Sequence, residues 1–322
     1  MTVSPASDFA RFVAVLGRGP GRSRALTRQE AEIAFGMVLR GEPDPHQVGA
    51  FLMLLRFRGE DAEEITGMVQ AIRTHLALCW NDLGVELDWP SYGAGRTRGA
   101  PWFLLSALAL ARSGITVLMH GSNDFSAGIA VEDALAALGL PADLATLRTQ
   151  RFAFVPVRTM APAVARLLDM RRLFGLRSPV NTAVRLLNPA DAPFGVDGVF
   201  HPPYIAVHLG VAERMQRRRL LVLKGGGGEA ERMPLKAATA SLWDLATGSQ
   251  EIELPAHSGL LPHNPADDTP ALLTAVWTGE AAPATPLATI HATIALGLLA
   301  LGKTVDPARA MVDATSIWAQ RR

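Results

Sequence analysis

Basic side chains are concentrated in one part of this sequence, where they could bind phosphate. Between Arg148 and Arg232 there are 14 basic and 6 acidic residues, although the net charge of the chain is only +1. A guanidinium group can bind phosphate oxygens in a two-pronged way. This asymmetry predicts a surface that faces a polyanion, with solvated arginines scattered over the fold as the alternative. The candidate phosphate-binding residues are Arg171, Arg172, Arg177, Arg185, Arg214, Arg217, Arg218, Arg219 and Lys224.

Two groups of these arginines also have a structural explanation. Arg171, Arg172 and Arg177 could form ion pairs at a domain interface with an acid such as Asp169. The run Arg217–Arg219 follows a predicted helix, and basic residues stabilise the carboxyl end of a helix. The sequence leaves phosphate binding and these structural roles open.

Glycine turns and a histidine-glycine pair follow predicted strands. Gly93 and Gly95 follow the strand-like run Val85–Trp89, and His120-Gly121 ends another apolar run. Glycine turns let main-chain N–H groups approach an anion closely. Four glycines follow Lys224, but the Walker spacing is absent, so a flexible turn is the alternative there. Glu231 could hold a cation only weakly, because a hard cation needs more than one carboxylate.

The predicted secondary structure differs between the first part of the chain and the rest. Capping signals such as Thr27–Glu30 and Asp44-Pro45 start amphipathic helices, which predicts a small all-helical domain over residues 1–78. From residue 79 to 322, strand-like runs alternate with helices, which predicts a larger α/β domain with a mostly parallel sheet. We expect residues from about 158 to 178 to add helices to the small domain.

Composition narrows the class of protein. Hydrophobic residues make up 49% and charged residues 19% of the 322 residues, which is typical of a folded protein with a large core. Cys79 is the only cysteine, so an intramolecular disulfide is excluded. No apolar run reaches the roughly 18 residues of a membrane span, and no N-terminal signal is visible. We therefore expect a cytoplasmic protein that does not bind membranes.

The order of these motifs resembles the anthranilate phosphoribosyltransferases and their pyrimidine nucleoside phosphorylase relatives. Leu26–Ala31 and Gly49–Met53 resemble the small domain of that family, and His120-Gly121 resembles its lysine-histidine-glycine element. Arg171–Ser178, continuing through Asn181 to Leu187-Asn188-Pro189, resembles its arginine-rich and asparagine-proline block. The resemblance implies a homodimer through the small domain, for which Phe35, Phe51 and Leu52 are candidates unless they are core. It also implies a substrate pocket at Gly93, Gly95, Arg96, His120, Gly121, Ser126 and Asn181.

The phosphate and magnesium motifs of that family are altered here. Ser91–Arg98 lacks the aspartate of the family's glycine-rich diphosphate loop, and Pro101–Leu104 replaces its asparagine-x-serine-threonine element. Ala230 stands where the family has the aspartate of its magnesium-binding aspartate-glutamate pair, which leaves Glu231. These departures resemble a divergent subgroup, the YbiB-type proteins, associated with sequence-independent nucleic-acid binding by a homodimer.

The subgroup resemblance implies a homodimer that binds DNA or RNA and needs no cofactor, with Mg²⁺ only if transferase activity is retained. One open alternative is a phosphoribosyl transferase with a different acceptor and a phosphate site rebuilt from Arg96, Arg98 and Lys224. Another alternative is a protein-interaction module that uses the helical domain. We also considered Trp89, Tyr92 and Trp102 as platforms for base stacking, with core packing as the alternative for Trp102.

Overall fold

The computed structural model describes residues 5–19, 21–76, 80, 83–93 and 99–322. The chain folds as two compact units. One comprises Met1–Cys79, Val157–Pro189 and Ala206–Met215, and we call it the helical unit. The other comprises Trp80–Pro156, Ala190–Ile205 and Gln216–Arg322, and we call it the sheet unit. The helical unit therefore draws on two later stretches of the chain, where the sequence had indicated one.

The helices of the described residues are α1 (Pro5–Gly17), α2 (Arg28–Leu39), α3 (Pro45–Arg58), α4 (Ala62–His75), α5 (Trp102–Arg112), α6 (Val131–Ala137), α7 (Thr146–Gln150), α8 (Val157–Met160), α9 (Pro162–Asp169), α10 (Arg171–Phe174), α11 (Val180–Ala183), α12 (Tyr204–Arg214), α13 (Pro270–Thr278), α14 (Ala284–Ala300) and α15 (Pro307–Ala319). The strands are β1 (Leu87–Ser91), β2 (Val117–Gly121), β3 (Phe152–Pro156), β4 (Phe194–Val199), β5 (Arg219–Lys224), β6 (Ala238–Asp244) and β7 (Gly248–Leu254). In the part of the chain described, no helix is long and apolar enough to cross a lipid bilayer.

Capping boxes start three long helices of the helical unit. The predicted box at Thr27 and Glu30 begins α2, and α3 and α4 begin with boxes at Asp44 and Asp61. Each box satisfies main-chain N–H groups that the first turn of a helix leaves unpaired. The apolar stripes that follow these caps then meet in the core of the helical unit.

Phe35, Phe51 and Leu52 lie in that core, each with 0% of its surface exposed. The suggestion that they form a dimer surface is therefore wrong, and their alternative role as internal packing is correct. The exposed apolar side chains of this unit are different residues. Phe57 on α3 is 90% exposed, and Leu173 at α10 is 82% exposed.

A seven-stranded sheet organises the sheet unit, with strand order β3-β2-β1-β4-β5-β6-β7. In the part of the sheet ordered β3-β2-β1-β4-β5, neighbouring strands pair in parallel, as expected. The pairs β5–β6 and β6–β7 are antiparallel. The mostly parallel α/β fold is thus confirmed. The sequence analysis did not predict β6.

The helices α5 and α14 pack closely in the sheet unit. A Cβ built on Gly297 of α14 would lie 2.5 Å from Leu110 Cδ1 of α5, so a larger residue at this position would require the Leu110 side chain to move. Trp89, Tyr92 and Trp102 are 0%, 2% and 5% exposed. They cannot serve as exposed stacking platforms for bases, which corrects that interpretation.

Candidate functional site

The parallel strands β1 and β2 end side by side, and they bring together three of the predicted pocket residues, Gly93, His120 and Gly121. Ser91 at the end of β1 is in register with Gly121 at the end of β2. A Cβ built on Gly121 would collide with the Ser91 carbonyl group, so the close approach requires glycine at this position. In open α/β sheets, ligands bind beyond the carboxyl ends of such strands.

Buried polar groups contact one another near the carboxyl ends of β1 and β2. The Tyr92 hydroxyl lies 2.9 Å from Nδ1 of His120. Nε2 of His120 lies 3.3 Å from Oδ1 of Asp88 on β1, within ion-pair distance but without the alignment of a hydrogen bond. Oδ2 of Asp88 accepts a hydrogen bond from Arg217 Nη2 at 3.2 Å. His120 is 0% exposed, so this geometry favours its structural role over contact with a substrate.

The Glu229 side chain is buried against the end of β1. A Cβ built on Gly93 would lie 2.6 Å from Oε1 of Glu229 and 3.3 Å from Oδ1 of Asn123. Glu229 is 1% exposed and Asn123 is 8% exposed. The space over Gly93 is therefore occupied by a carboxylate of the chain itself. Gly198 also approaches the main chain of Glu229 so closely that no Cβ would fit.

Glu231 contacts the first turn of α5. The main-chain N–H of Phe103 donates a hydrogen bond to Oε2 of Glu231 at 2.9 Å. The N-cap residue Pro101 provides no side-chain cap for this helix. The unpaired N–H groups at a helix N-terminus favour an anion, and Glu231 supplies one from within the chain. This carboxylate, predicted as a weak metal ligand, therefore has a structural role.

The remaining predicted pocket residues are distributed between the two units. Ser126 lies in the sheet unit, where its Oγ accepts a hydrogen bond from the Gly128 N–H at 3.4 Å. Asn181 lies in the helical unit, where its Oδ1 accepts from the Ser178 N–H at 3.2 Å. Gly95 and Arg96, like Arg98 and Cys79, lie outside the described residues. Among the residues described, no three His, Cys, Asp or Glu side chains are placed to hold a metal ion.

Several predicted phosphate-binding arginines are buried or ion-paired. Arg217 is 7% exposed and pairs with Asp88, and Arg185 is 9% exposed. We therefore correct the prediction for Arg217 and Arg185, because a buried guanidinium cannot reach a polyanion in solvent. Arg214 donates to Glu63 at 2.6 Å, within the helical unit. Arg219 pairs with Asp244 at 3.4 Å, within the sheet unit.

The other predicted basic residues are accessible. Arg172, Arg218 and Lys224 are exposed, and Arg171 and Arg177 are half-buried. Arg171, Arg172 and Arg177 belong to the helical unit, whereas Arg218 and Lys224 belong to the sheet unit. The accessible positive charge is thus present on each unit separately.

The sequence of this chain is similar to those of known proteins. Residues 15–76 match the model of the glycosyl transferase family helical bundle domain. The chain is 30% identical over 310 residues to the anthranilate phosphoribosyltransferase of Azorhizobium caulinodans, covering 90% of this chain and 89% of that protein. The chain belongs to the anthranilate phosphoribosyltransferase-like family. The enzyme of Moorella thermoacetica is similar over the same share of this chain, at 29% identity.

Solved structures of this family show the same fold. The crystal structure of anthranilate phosphoribosyltransferase from Thermus thermophilus aligns with a TM-score of 0.78 and 23% identity, over 99% of this chain and 95% of that chain.

Sequence reasoning for this family member missed Asp88 and Arg217 as partners. The signal that could have revealed this pair was the carboxylate of Asp88 within the apolar strand β1, because a buried carboxylate needs a partner.

Proposed function

We propose that this member of the family binds nucleic acid through phosphate contacts and has lost the phosphoribosyl diphosphate site that its resemblance implies. The observation that carries the proposal is the arginine-rich stretch Val157–Arg177 of the helical unit, which we call the basic segment. It spans α8, α9 and α10 and contains five arginines and one acid, Asp169.

The basic segment presents its charges to solvent. Arg158, Arg166 and Arg172 are exposed, and Arg171 and Arg177 are half-buried. The acid in this segment, Asp169, is exposed as well. A cluster of guanidinium groups on a helical surface attracts phosphates whatever the base sequence is. Recognition without sequence preference, as in the subgroup that the motifs resemble, requires only such backbone contacts.

The residues near the carboxyl ends of β1 and β2 support the proposed loss of the phosphoribosyl diphosphate site. Glu229 lies against Gly93, and Glu231 accepts the Phe103 N–H at the start of α5. A diphosphate at these strand ends would be repelled by these carboxylates unless a cation intervened. The described residues fit such a cation poorly, because Ala230 offers no ligand and Glu231 is already bound to main chain.

Fluorescence anisotropy of a labelled single-stranded oligonucleotide, measured across a salt series, tests the proposal. Counterion release predicts that log affinity falls linearly with log salt, with a slope of about 0.7 per phosphate contact. The double variant R166E/R172E should weaken binding and flatten this slope. The control R112E/R309E makes the same charge change at exposed arginines of the sheet unit that lie outside the stretch Arg148–Arg232. No binding at low salt, or equal losses in both variants, would overturn the proposal.

A phosphoribosyl transferase with a different acceptor is the second candidate, and one observation favours it. Both polar atoms of the buried Asn123 amide lack a hydrogen-bond partner among the described residues, as does Oγ of Ser91. Buried polar groups are nearly always satisfied, so a polar ligand could complete them. Titration calorimetry with 5-phosphoribosyl diphosphate and Mg²⁺ decides between the candidates. Saturable heat would favour the transferase, and its absence together with oligonucleotide binding would favour the first proposal.

A further inference from the structure

A cavity of about 330 Å³ lies in the sheet unit, between the end of β7, the residues after Glu231 and the helices α14 and α15. Its wall is largely apolar and includes Leu254, Ala292, Ala295, Leu299 and Met311. At about 30 Å³ for each water-sized group, it has room for on the order of ten non-hydrogen atoms. An apolar cavity with a few polar groups is typical of a small-molecule site.

The wall also contains the charged side chain of Arg232, which is 6% exposed. Nη1 donates to the Met233 carbonyl at 2.6 Å. Nη2 donates to the Lys236 carbonyl at 2.7 Å, and to those of Leu254 and Pro255 at 3.2 Å. These acceptors are all neutral, and no carboxylate of the described residues pairs with this cation.

A buried cation without a counter-charge is unfavourable, because carbonyl dipoles offset only part of its lost hydration. Burial accordingly lowers the pKa of the Arg232 guanidinium from its ordinary value. These four hydrogen bonds involve only the two Nη atoms, which leaves the Nε–H for another acceptor. His257, an exposed residue at the same cavity, adds a second polar side chain.

We propose that this cavity is a binding site for a small amphipathic carboxylate. Its carboxylate would lie on Arg232, and its hydrocarbon part would pack against Ala295, Leu299 and Met311. The combination of a buried, uncompensated guanidinium and an apolar cavity selects for both parts of such a ligand. The inference does not depend on nucleic-acid binding, because none of the cavity residues belongs to the basic segment or to the polar groups described at the ends of β1 and β2.

Titration calorimetry of the full chain with octanoate and octanamide tests this site. The two probes share a hydrocarbon tail and differ in charge. We expect octanoate to bind with one-to-one stoichiometry and octanamide to bind at least about tenfold more weakly, because only octanoate forms a charge-assisted hydrogen bond. Equal affinity for the two probes, or no saturable binding of octanoate, would overturn the proposal.

Two variants locate the binding within the cavity. Ala295→Phe fills the cavity and retains Arg232, so we expect it to abolish octanoate binding. Ala319→Phe, at an exposed position near the end of α15, is the matched control. Arg232→Met should remove the preference for octanoate over octanamide, provided that circular dichroism shows a folded protein. Unchanged octanoate binding by A295F would by itself contradict the assignment.

Discussion

The Phe103 N–H donates to the Glu231 carboxylate at 2.9 Å, so an acid that follows β5 caps the helix α5. Glu231→Ala should lower the free energy of unfolding by about 1 to 2 kcal/mol, because the helix loses both an acceptor and a favourable charge. Urea unfolding measures this change. Glu280→Ala, at an exposed acid, is the control, and equal effects in the two variants would exclude a capping role.

The buried Glu64 of α4 should make folding stability depend on pH. Its Oε1 accepts the Leu26 N–H at 2.8 Å, and burial raises its pKa from 4.5 to about 7. Between these two values the folded state keeps a proton that the unfolded state releases, so stability falls as pH rises through this window. Relative to Glu64→Gln, the wild type should lose up to about 3 kcal/mol between pH 4.5 and 8.

Urea unfolding of both proteins at several pH values checks this difference. Glu32→Gln in the same unit is the control for replacing a carboxyl group with an amide. A constant difference for Glu64→Gln would show that Glu64 ionises normally in the folded protein.

The Asp88–Arg217 pair should be strongly coupled. Asp88→Asn leaves a buried guanidinium without its counter-charge, so we expect a loss of about 3 to 5 kcal/mol in the free energy of unfolding. Arg217→Met alone should also destabilise the protein. The double variant D88N/R217M should be more stable than the sum of the single effects predicts. A double-mutant cycle from urea unfolding measures this coupling, and additive effects would contradict it.

The homodimer implied by the family resemblance would need an exposed apolar surface on the helical unit. Phe57 is 90% exposed there, whereas the residues first considered are internal. If α3 carries the interface, Phe57→Glu should convert a dimer to a monomer without lowering monomer stability, because the side chain packs against little. Light scattering measures the mass, and Arg18→Glu at another exposed position is the control. A dimer that persists in F57E would place the interface elsewhere.

Much of the fold could be predicted because its signals are local. The capping box at Thr27 and the apolar periodicity after it depend on residues within a few turns of each other. The hairpin of β6 and β7 was harder to predict, because its strands mix polar and apolar residues and because β6 gains stability from pairing with β5. Strand preference depends strongly on such context.

The candidate site contains side-chain contacts that could not be predicted from the local sequence. Arg217 and Arg218 are adjacent and identical in type, yet Arg217 is buried against Asp88 and Arg218 is exposed. Nothing in the local sequence distinguishes them, because the partner lies 129 residues away along the chain. Glu229 likewise looks like a loop acid in sequence, and only the fold places it against Gly93.

The position of β7 at one end of the strand order affects how this protein behaves at high concentration. Its outer hydrogen-bonding groups could template pairing with another chain, which is a common route to aggregation. Glu251 and Glu253 are exposed on this strand, and their like charges would repel a second copy laid alongside it. The charge on β7 should therefore suppress self-association through this edge.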